Sequence, residues 1–355
     1  MLSCLRFPVS AFLFLITPIV AYAQSAPAQA VPTIHESVVV TATGREMPES
    51  KVGASITVLD REQIEQRHAL STIDLLRTMP GVVAVRAGGV GNLTGVFVRG
   101  GESTYNKVLL DGMPLNEPGG AFNFASLSPE HIERIEVLRG AHSALFGSDA
   151  MASVIHLFSV RPDTGRPQVN LTVDGGTYNT AHVAAGVGAR TGGIEYSVFG
   201  SRLQTDNREP NNENRTSTIS GNVTRSLASG ASLRVLGRGE FGRAGTPGTT
   251  AFGRPDMDAF FRHRDGSVLG GWNQPIGSRI AQQTSYSYVV TKYRSTNLVA
   301  DPPYTPRFGD LVAAFPSSDF LYDSETELER HHFEYRADAV VGRNQVLTAA
   351  FAYDG

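Results

Sequence analysis

The sequence predicts a small α+β domain followed by the N-terminal part, about nine strands, of an antiparallel transmembrane β-barrel. Three observations carry this prediction. Residues 51–160 mix short strand patterns with brief helical ones, whereas residues 167–353 alternate apolar and polar side chains over long stretches. Short and long connections then alternate between those stretches. The composition agrees, because charged residues are only 18% of the chain and 37 glycines favour turns.

The first 23 residues have the pattern of a secretory signal peptide. Arg6 supplies a positive charge, residues 7–20 are almost wholly apolar, and Ala21-Tyr22-Ala23 fits a small-x-small cleavage site. A membrane anchor is less favoured, because the run is shorter than the roughly 20 residues that a spanning helix needs and Pro18 interrupts it. The only cysteine, Cys4, would leave with this segment, so the mature chain is expected to have no disulfide.

Residues 24–48 are expected to form a flexible tail that contains one β-prone run. Gln24 to Thr33 is rich in Ala, Pro and Gln, as disordered tethers are. The run Glu36 to Thr43 (ESVVVTAT) has no obvious sheet partner nearby. Its residues alone allow two interpretations. The run is either an edge strand of the next domain or a peptide that docks by adding a strand to an exposed sheet edge.

Residues 49–163 are predicted to form the α+β domain. Asp111-Gly112 is a strong two-residue hairpin signal. Ser71 can cap a helix that runs through Thr78 before Pro80-Gly81 stops it, and Ser128-Pro129-Glu130 predicts a short turn. The predicted strands are 55–59, 82–86, 96–99, 107–110, 113–115, 134–138 and 154–160, and the predicted helical segments are 61–67 and 71–78.

Residues 164–355 are predicted to form the barrel segment. Its connections alternate between tight turns and longer segments of up to 28 residues such as 297–324, as in outer-membrane barrels with short periplasmic turns and long outer loops. A soluble β-sandwich fits less well, because its strands are shorter and its loops do not alternate by side. The predicted strands are 167–175, 179–190, 192–205, 214–227, 231–243, 267–275, 279–296, 325–341 and 344–353.

Nine strands are too few to enclose the preceding domain. A barrel of about eight strands is wide enough only for its own side chains. The domain has about 110 residues, and the strand pattern is still running at Ala352-Tyr353. We therefore expect the chain to be an N-terminal fragment of a larger barrel protein.

Several other function classes find little support in the sequence. A net charge of −3 without a basic run gives no sign of nucleic-acid binding. Residues 237–242 match G-x-G-x-x-G, but the following Arg-Ala-Gly-Thr-Pro cannot start the helix of a nucleotide site. His331 and His332 would point to opposite faces of a strand and could not share a metal. No catalytic grouping stands out, so we expect neither an enzyme nor a cofactor.

One strand of the α+β domain is unusually charged. These charges could simply face solvent on an exposed sheet. Given a barrel around the domain, we expect them instead, together with Arg99, to face polar side chains in the lumen and to form a hydrated, ion-paired interface there. The charged residues of that strand are Glu133, Arg134, Glu136 and Arg139.

The α+β domain closely resembles the plug domain of TonB-dependent outer-membrane receptors. The resemblance lies in VFVRGG (96–101), KVLLDGMPLN (107–116), ERIEVLRG (133–140) and HSALFGSDAMASVIHLFSV (142–160). In that family a plug blocks a barrel of about 22 strands, the size expected of transporters with a filled lumen. The resemblance implies a barrel embedded in outer-membrane lipid and a nutrient receptor driven by the inner-membrane protein TonB.

The run 36–43 resembles the family's TonB box in composition and in its position before a plug. The resemblance implies that the periplasmic end of TonB pairs with this strand and pulls on it, chiefly through the backbone of the three valines. The residues so assigned are Glu36, Ser37, Val38, Val39, Val40, Thr41, Ala42 and Thr43.

Two Gly-rich segments are the best candidates for a ligand site. In the family the matching positions form the outward apices of the plug and touch the bound nutrient. Aromatic and amide side chains together suit a small-molecule site. The candidates are Gly88, Gly89, Gly91, Asn92 and Leu93 in the first segment, and Asn116, Glu117, Phe122, Asn123 and Phe124 in the second.

Within the family the plug and residues 246–258 look most like the cobalamin-receptor branch, with a ferric siderophore as the second candidate ligand. Ala141-His142, Ser153 and His156 depart from the family's usual residues. Asp206, Glu209 and Glu213 are too scattered to predict a calcium site in the outer loops. The rivals of another class are a passive adhesin or pore and a TonB-linked signalling receptor. Against the signalling receptor, only about a dozen residues lie between the predicted cleavage site and the box, too few for an added signalling domain.

Overall fold

The computed structural model describes residues 38–41, 47–162, 164–248, 250–342 and 345–355. Within these ranges, no helix is both long and apolar enough to cross a membrane. The predicted signal peptide, most of the predicted tail and four residues of the predicted TonB box lie outside them.

The α+β domain, residues 47–162, is built around a five-stranded sheet in the order β3-β8-β9-β6-β7. Strands β6 and β9 are parallel and the other neighbours are antiparallel. Strands β4 and β5 form a separate ribbon, and β1 pairs with β2. The strands are β1 Val38–Val39, β2 Met47–Pro48, β3 Ser55–Leu59, β4 Val82–Arg86, β5 Thr94–Val98, β6 Asn106–Leu110, β7 Met113–Pro114, β8 Ile132–Arg139 and β9 Ser153–Ser159. The helices are α1 Arg61–Gln66, α2 Thr72–Leu76 and α3 Ser143–Phe146, and 3₁₀ turns span Glu49–Lys51, Ser103–Tyr105 and Phe124–Ser126.

Local signals explain several of these boundaries. Asp60 begins α1 with a capping box, since its carboxylate accepts the backbone N–H of Gln63 at 2.9 Å. Asp111 and Gly112 both have positive φ, +52° and +93°, which suits the tight turn predicted between β6 and β7. Ser71 precedes α2 as predicted, but its hydroxyl donates to the Asp74 side chain rather than capping the helix.

The sheet of the α+β domain is covered on both faces. Successive residues of β8 enter different apolar clusters: Val137 packs with Leu75, Leu76 and other residues of the main core, and Leu138 packs with Val154 and others on the opposite face. All of these side chains are fully buried. A strand with both faces covered does not show the clean alternation of an exposed sheet.

The remaining strands form one nine-stranded antiparallel sheet, here called the wall sheet. Each strand pairs with its neighbour in the chain, except that a small β17–β18 hairpin lies between β16 and β19. The first and last strands of the sheet, β10 and β20, do not pair with each other. The strands are β10 Gln168–Gly176, β11 Thr180–Thr191, β12 Ile194–Thr205, β13 Asn214–Ser226, β14 Ser232–Gly245, β15 Phe260–Ile276, β16 Ile280–Asn297, β17 Arg307–Phe308, β18 Leu311–Val312, β19 Tyr322–Val341 and β20 Gln345–Asp354.

One face of the wall sheet is apolar and exposed, as the period-two pattern predicts. Val169, Leu171 and Val173 of β10 and Val183 and Val187 of β11 all belong to this face. The opposite face carries polar side chains that contact the α+β domain, such as His182, Ser197 and Asn222. The predicted fold class, an α+β domain followed by about nine antiparallel strands, is therefore confirmed.

The main difference from the predicted strands is the start of β15, which begins at Phe260 rather than at residue 267. Arg262 and Arg264 occupy the exposed face there, so the apolar alternation is absent. The backbone ladder with β14 nevertheless continues to Gly245↔Phe260. The Gly-rich run 237–242 lies inside β14, as expected of barrel glycines, and His331 is exposed while His332 is buried on the opposite face of β19.

Candidate functional site

The N-terminal segment Val38–Thr41 is docked on the α+β domain. The backbone N–H groups of Val40 and Thr41 donate to the carboxylate of Glu136 at 3.0 and 2.8 Å. The Thr41 hydroxyl lies 3.2 Å from Nδ1 of His156. Val39, Thr41 and Glu136 are all essentially buried. One carboxylate on β8 thus satisfies the two backbone donors that directly follow β1.

Burial keeps the histidine at this contact uncharged. Burial lowers the pKa of His156 to about 3, and the nearby guanidinium groups of Arg134, Arg234 and Arg161 act in the same direction against the charge of Asp111. The ring is therefore neutral when it meets Thr41. Arg134 lies 2.9 Å from Glu136 and also stacks over the Phe158 ring at 4.3 Å.

The prediction that Arg99, Arg134, Glu136 and Arg139 face the barrel lumen is corrected here. Arg139 donates to the Pro80 carbonyl and the Thr57 hydroxyl, and Arg99 donates to Ser55. Arg134 and Glu136 pair with each other. These partners all belong to the α+β domain, because β8 lies inside its sheet, between β3 and β9, rather than on an open face.

Other residues join the α+β domain to the wall sheet. Asp111, in the hairpin turn, pairs with Arg234 of β14 at 2.5 Å. Glu130 pairs with His182 of β11 at 2.8 Å, and Asp149 lies 3.5 Å from Arg330 of β19. Although burial opposes it, the guanidinium groups of Arg234 and Arg161 hold the pKa of Asp111 below its usual range. Sequence reasoning missed the Asp111–Arg234 pair because it treated Asp111 only as a turn residue.

The first Gly-rich segment packs against the wall sheet and the loop after β12. An added Cβ at Gly89 would lie 2.4 Å from Asn207, and one at Gly91 would lie 2.1 Å from Asn214, so only glycine permits this approach. The Asn207 side chain bonds both the N–H and the carbonyl of Val90. Gly88 has φ +129°, and in contrast to these packed positions Leu93 is 63% exposed.

The second Gly-rich segment is held by its own buried side chains. Asn116 accepts from the Val108 N–H at 2.7 Å and donates to the carbonyls of Asn106 and Gly120. Phe124 is fully buried, and Phe122 packs on it edge-to-face with ring centroids 4.9 Å apart. Asn123 accepts the Ala125 N–H at 3.1 Å. Three of the five candidates, Asn116, Asn123 and Phe124, thus stabilise the loop itself.

The structure brings the two Gly-rich segments together. Asn123 of the second segment accepts the N–H of Thr94, which directly follows the first, at 3.0 Å. In the first segment, Asn92 donates to Asn212 of the wall loop at 2.7 Å. The predicted candidates therefore form one surface rather than two separate loops.

A cleft separates part of this surface from the wall sheet. Glu117, Phe122 and Asn123 line one side, and the Tyr293 hydroxyl donates to Glu117 across it. Burial raises the pKa of Glu117, and the negative charge of Asp265 adds to that effect. The wall contributes side chains that sequence reasoning did not select, among them Arg238, His263, Asp265 and Tyr293.

Comparison with known proteins decides what this domain is. Residues 48–154 match the family model described as the TonB-dependent Receptor Plug Domain. The α+β domain is a TonB-dependent receptor plug. A curated relative, the vitamin B12 transporter BtuB of Vibrio vulnificus strain CMCP6, is 38% identical over 135 residues. That match covers 38% of this chain and 22% of the transporter, so the matched segment spans less than a quarter of this relative.

Solved structures extend the likeness from the plug to the wall sheet. The outer-membrane ferripyoverdine receptor of Pseudomonas aeruginosa has a TM-score of 0.72 at 15% identity, covering 90% of this chain and 44% of that one. The ferric preacinetobactin receptor BauA of Acinetobacter baumannii also gives 0.72 at 15% identity, covering 89% and 49%. At such identities the likeness concerns the fold. A plug followed by barrel strands is confirmed, and the match of residues 48–154 to the receptor plug agrees with the predicted place in the outer membrane.

Proposed function

We propose that this chain is the N-terminal part of a TonB-dependent receptor that takes up a scarce nutrient too large for ordinary porins, with cobalamin as the first candidate. The single observation that supports cobalamin as the ligand is the 38% identity with a vitamin B12 transporter. The siderophore receptors share the fold at 15% identity, which carries less weight for the ligand. A receptor of this kind binds and transports rather than catalyses.

The proposed division of the chain follows its sequence. Residues 1–23 would be the signal peptide, 24–48 the flexible tail with the TonB box at 36–43, 49–163 the plug and 164–355 the incomplete barrel. TonB would pair with the box by strand addition, which needs free backbone N–H and C=O groups. Because Glu136 holds the N–H groups of Val40 and Thr41, the segment must leave that carboxylate before TonB can pair with those groups.

The nutrient would rest on the combined surface of the two Gly-rich segments. Gly88, Leu93 and Phe122 are the candidate positions that leave backbone or apolar surface accessible there. Glu117 and the cleft beside it would add hydrogen-bonding groups. An apolar surface with a few fixed polar groups is what a small-molecule site requires.

The transport part of the proposal is tested in the full-length gene by deleting residues 36–43. Cobalamin uptake by cells that depend on this receptor should fall to background, while cobalamin binding to the purified protein persists. Deleting residues 26–33, which removes the same number of residues from the tether, is the matched control and should leave uptake intact. Undiminished uptake without residues 36–43 would favour a passive pore.

The ligand part is tested by equilibrium binding to the full-length purified protein. Cobalamin should bind saturably, and a panel of ferric chelates should not compete with it. Saturable binding of a ferric chelate, with no binding of cobalamin, would contradict cobalamin as the ligand. The proposal that the protein is a TonB-dependent receptor would be unaffected.

A further inference from the structure

A cluster of metal-ligand side chains lies on the inner face of the wall sheet, beside the plug. Glu240 of β14 and Asp265 of β15 are directly opposite each other in the ladder, and His263 is two residues before Asp265 on the same face. His263 Nε2 lies 2.8 Å from Glu240 Oε1. One candidate ligand atom from each of the three residues lies within 4.8 Å of the other two. Glu240 and His263 are buried.

The backbone opposite His263 is shaped to receive its ring. Gly242 is the cross-strand partner of His263, and an added Cβ there would lie 2.0 Å from the ring's Cε1. The absence of a side chain at residue 242 therefore leaves the space that the imidazole occupies. In that position the ring nitrogen reaches Glu240.

The cluster leaves polar atoms without partners. Nδ1 of His263, Oδ1 of Asp265 and the hydroxyl of Ser267 are buried and have no hydrogen-bond partner within the described residues. These three side chains follow one another on the same face of β15 and line the same cleft. Buried polar atoms are nearly always paired, so unpaired ones at one place call for an explanation such as a bound ion or water.

A second buried histidine of the wall sheet, His182, is bonded differently from His263. His182 uses both ring nitrogens: Nε2 meets Glu130 at 2.8 Å and Nδ1 meets Asp174 at 2.9 Å. Its two carboxylates lie on different sides of the ring, so they do not converge on one possible metal position. His263 pairs through one nitrogen only, with a second carboxylate beside that same pair.

The charge around the cluster is also unbalanced. Glu240 and Asp265 are carboxylates of the cluster, and Glu117 of the plug faces the same cleft. Arg238 pairs with Glu240 and is the one guanidinium among the side chains lining this cleft. With the imidazole of His263 neutral, as a metal ligand must be, three carboxylates against one guanidinium leave an excess of negative charge, and an added cation is favoured there.

We propose that Glu240, His263 and Asp265 bind one divalent transition-metal ion at the seam between barrel wall and plug. One imidazole nitrogen with carboxylate oxygens suits zinc and its neighbours better than calcium, which takes six to eight oxygen ligands. Three protein ligands leave a coordination position free, and Glu117 of the plug lines the same cleft. The ion would join the wall to the apex surface of the plug. This site does not depend on the nutrient proposed above.

The test uses the full-length protein purified in detergent, with any affinity tag removed and the metal stripped by a chelator. Titration with zinc chloride, followed by calorimetry, should show one saturable equivalent. His263→Gln and Asp265→Asn should each weaken zinc binding by more than the roughly 10–100-fold that loss of an outer-shell partner costs. Gly242→Ala, which removes no ligand, should also weaken binding because it displaces the ring.

His182→Gln is the matched control, since it also removes a buried wall histidine flanked by two carboxylates, and zinc binding should be unchanged. Where a variant does not fold, cobalt(II) bound to the unmodified protein gives a second readout, because its visible absorption distinguishes a low-coordinate nitrogen-containing site from an aqueous ion. The proposal is overturned if the unmodified protein shows no saturable equivalent, or if His182→Gln weakens binding as much as His263→Gln.

Discussion

The plug has two attachments of different construction. The N-terminal segment is held mainly at one point, where the Glu136 carboxylate accepts the N–H groups of Val40 and Thr41. The wall sheet is held at several separate points on β11, β14 and β19, each a pair of ionisable groups. A contact concentrated on one carboxylate can be broken in one step, whereas distributed pairs must be broken one by one. The segment proposed to meet TonB is therefore the attachment that is easier to release.

The largest effect is expected from Asp111→Asn, which weakens the attachment to the wall. Asn tolerates the positive φ of this turn position, so the change removes charge and little else. Arg234 would remain buried without its carboxylate, a situation that costs about 3–5 kcal/mol. The measurement is the free energy of plug unfolding from hydrogen exchange in the full-length protein.

Glu102→Gln, at an exposed plug position, is the control for Asp111→Asn and should change the free energy by no more than about 0.5 kcal/mol. A loss below about 1 kcal/mol in Asp111→Asn would mean that this pair is not a main support of the plug.

Glu136→Gln is expected to release the N-terminal segment. The neutral amide loses the charge-assisted bonds to Val40 and Thr41, which are worth about 1.5–3 kcal/mol. Hydrogen exchange at these two amides should then accelerate by roughly 10- to 150-fold. Glu62→Gln, on the exposed surface of α1, should leave it unchanged. If amides throughout the plug core lose protection to the same degree, the two attachments are not separable.

Acidification should affect both attachments, each through its own histidine. Burial lowers the pKa of His156 to about 3 and that of His131 to about 4, from an ordinary value of 6.5. The folded plug keeps both rings neutral, whereas the unfolded chain protonates them below pH 6.5. Their contribution to stability is complete above that pH and falls by up to about 1.4 kcal/mol per pH unit for each ring as the pH drops toward its folded pKa.

The two rings can be separated by mutation. His156 contacts Thr41 of the N-terminal segment, and His131 contacts Ser197 and stacks on Phe199 of the wall at 4.7 Å. His156→Gln should flatten the pH dependence of exchange at residues 40 and 41, and His131→Gln should not. Identical profiles for both variants would contradict the assignment of one histidine to each attachment.

The wall strands could be predicted from sequence because their side chains face two different environments. Lipid-facing positions such as Val169, Leu171 and Val173 must be apolar and the alternate positions need not be, so register and strand length are visible in the pattern. The pattern failed at residues 260–266, where arginines occupy the outer face. There the ladder with β14, which one strand's sequence does not show, defines the strand.

The contacts of the candidate site were much less predictable. Glu136 is a charged residue in an alternating strand, which suggests a solvent or lumen face, yet it is fully buried and binds a segment almost 100 residues earlier. Similarly, the hairpin turn alone explains an aspartate at residue 111, so the local sequence offers no reason to expect its pairing with Arg234. Such roles depend on a partner that the local sequence does not identify. Only the Gly-rich segments carried a local signal, because close approach to Asn207 and Asn214 requires glycine.

The smallest effect is expected at the apex of the plug, where the attachment to the wall uses neutral groups. Asn92→Ala removes the bond from its side chain to Asn212, 2.7 Å long and buried, and leaves the Asn212 oxygen without that donor. A neutral bond of this kind contributes about 1 kcal/mol. Exchange at the amides of residues 90–93 should accelerate while the plug core is unaffected. Leu93→Ala, at a position 63% exposed, should leave exchange in the core and at Asn92 unchanged. If Asn92→Ala instead destabilised the whole plug as much as Asp111→Asn, the amide contacts of the apex would support the plug as strongly as the ion pairs do. They would then count as part of the distributed attachment to the wall.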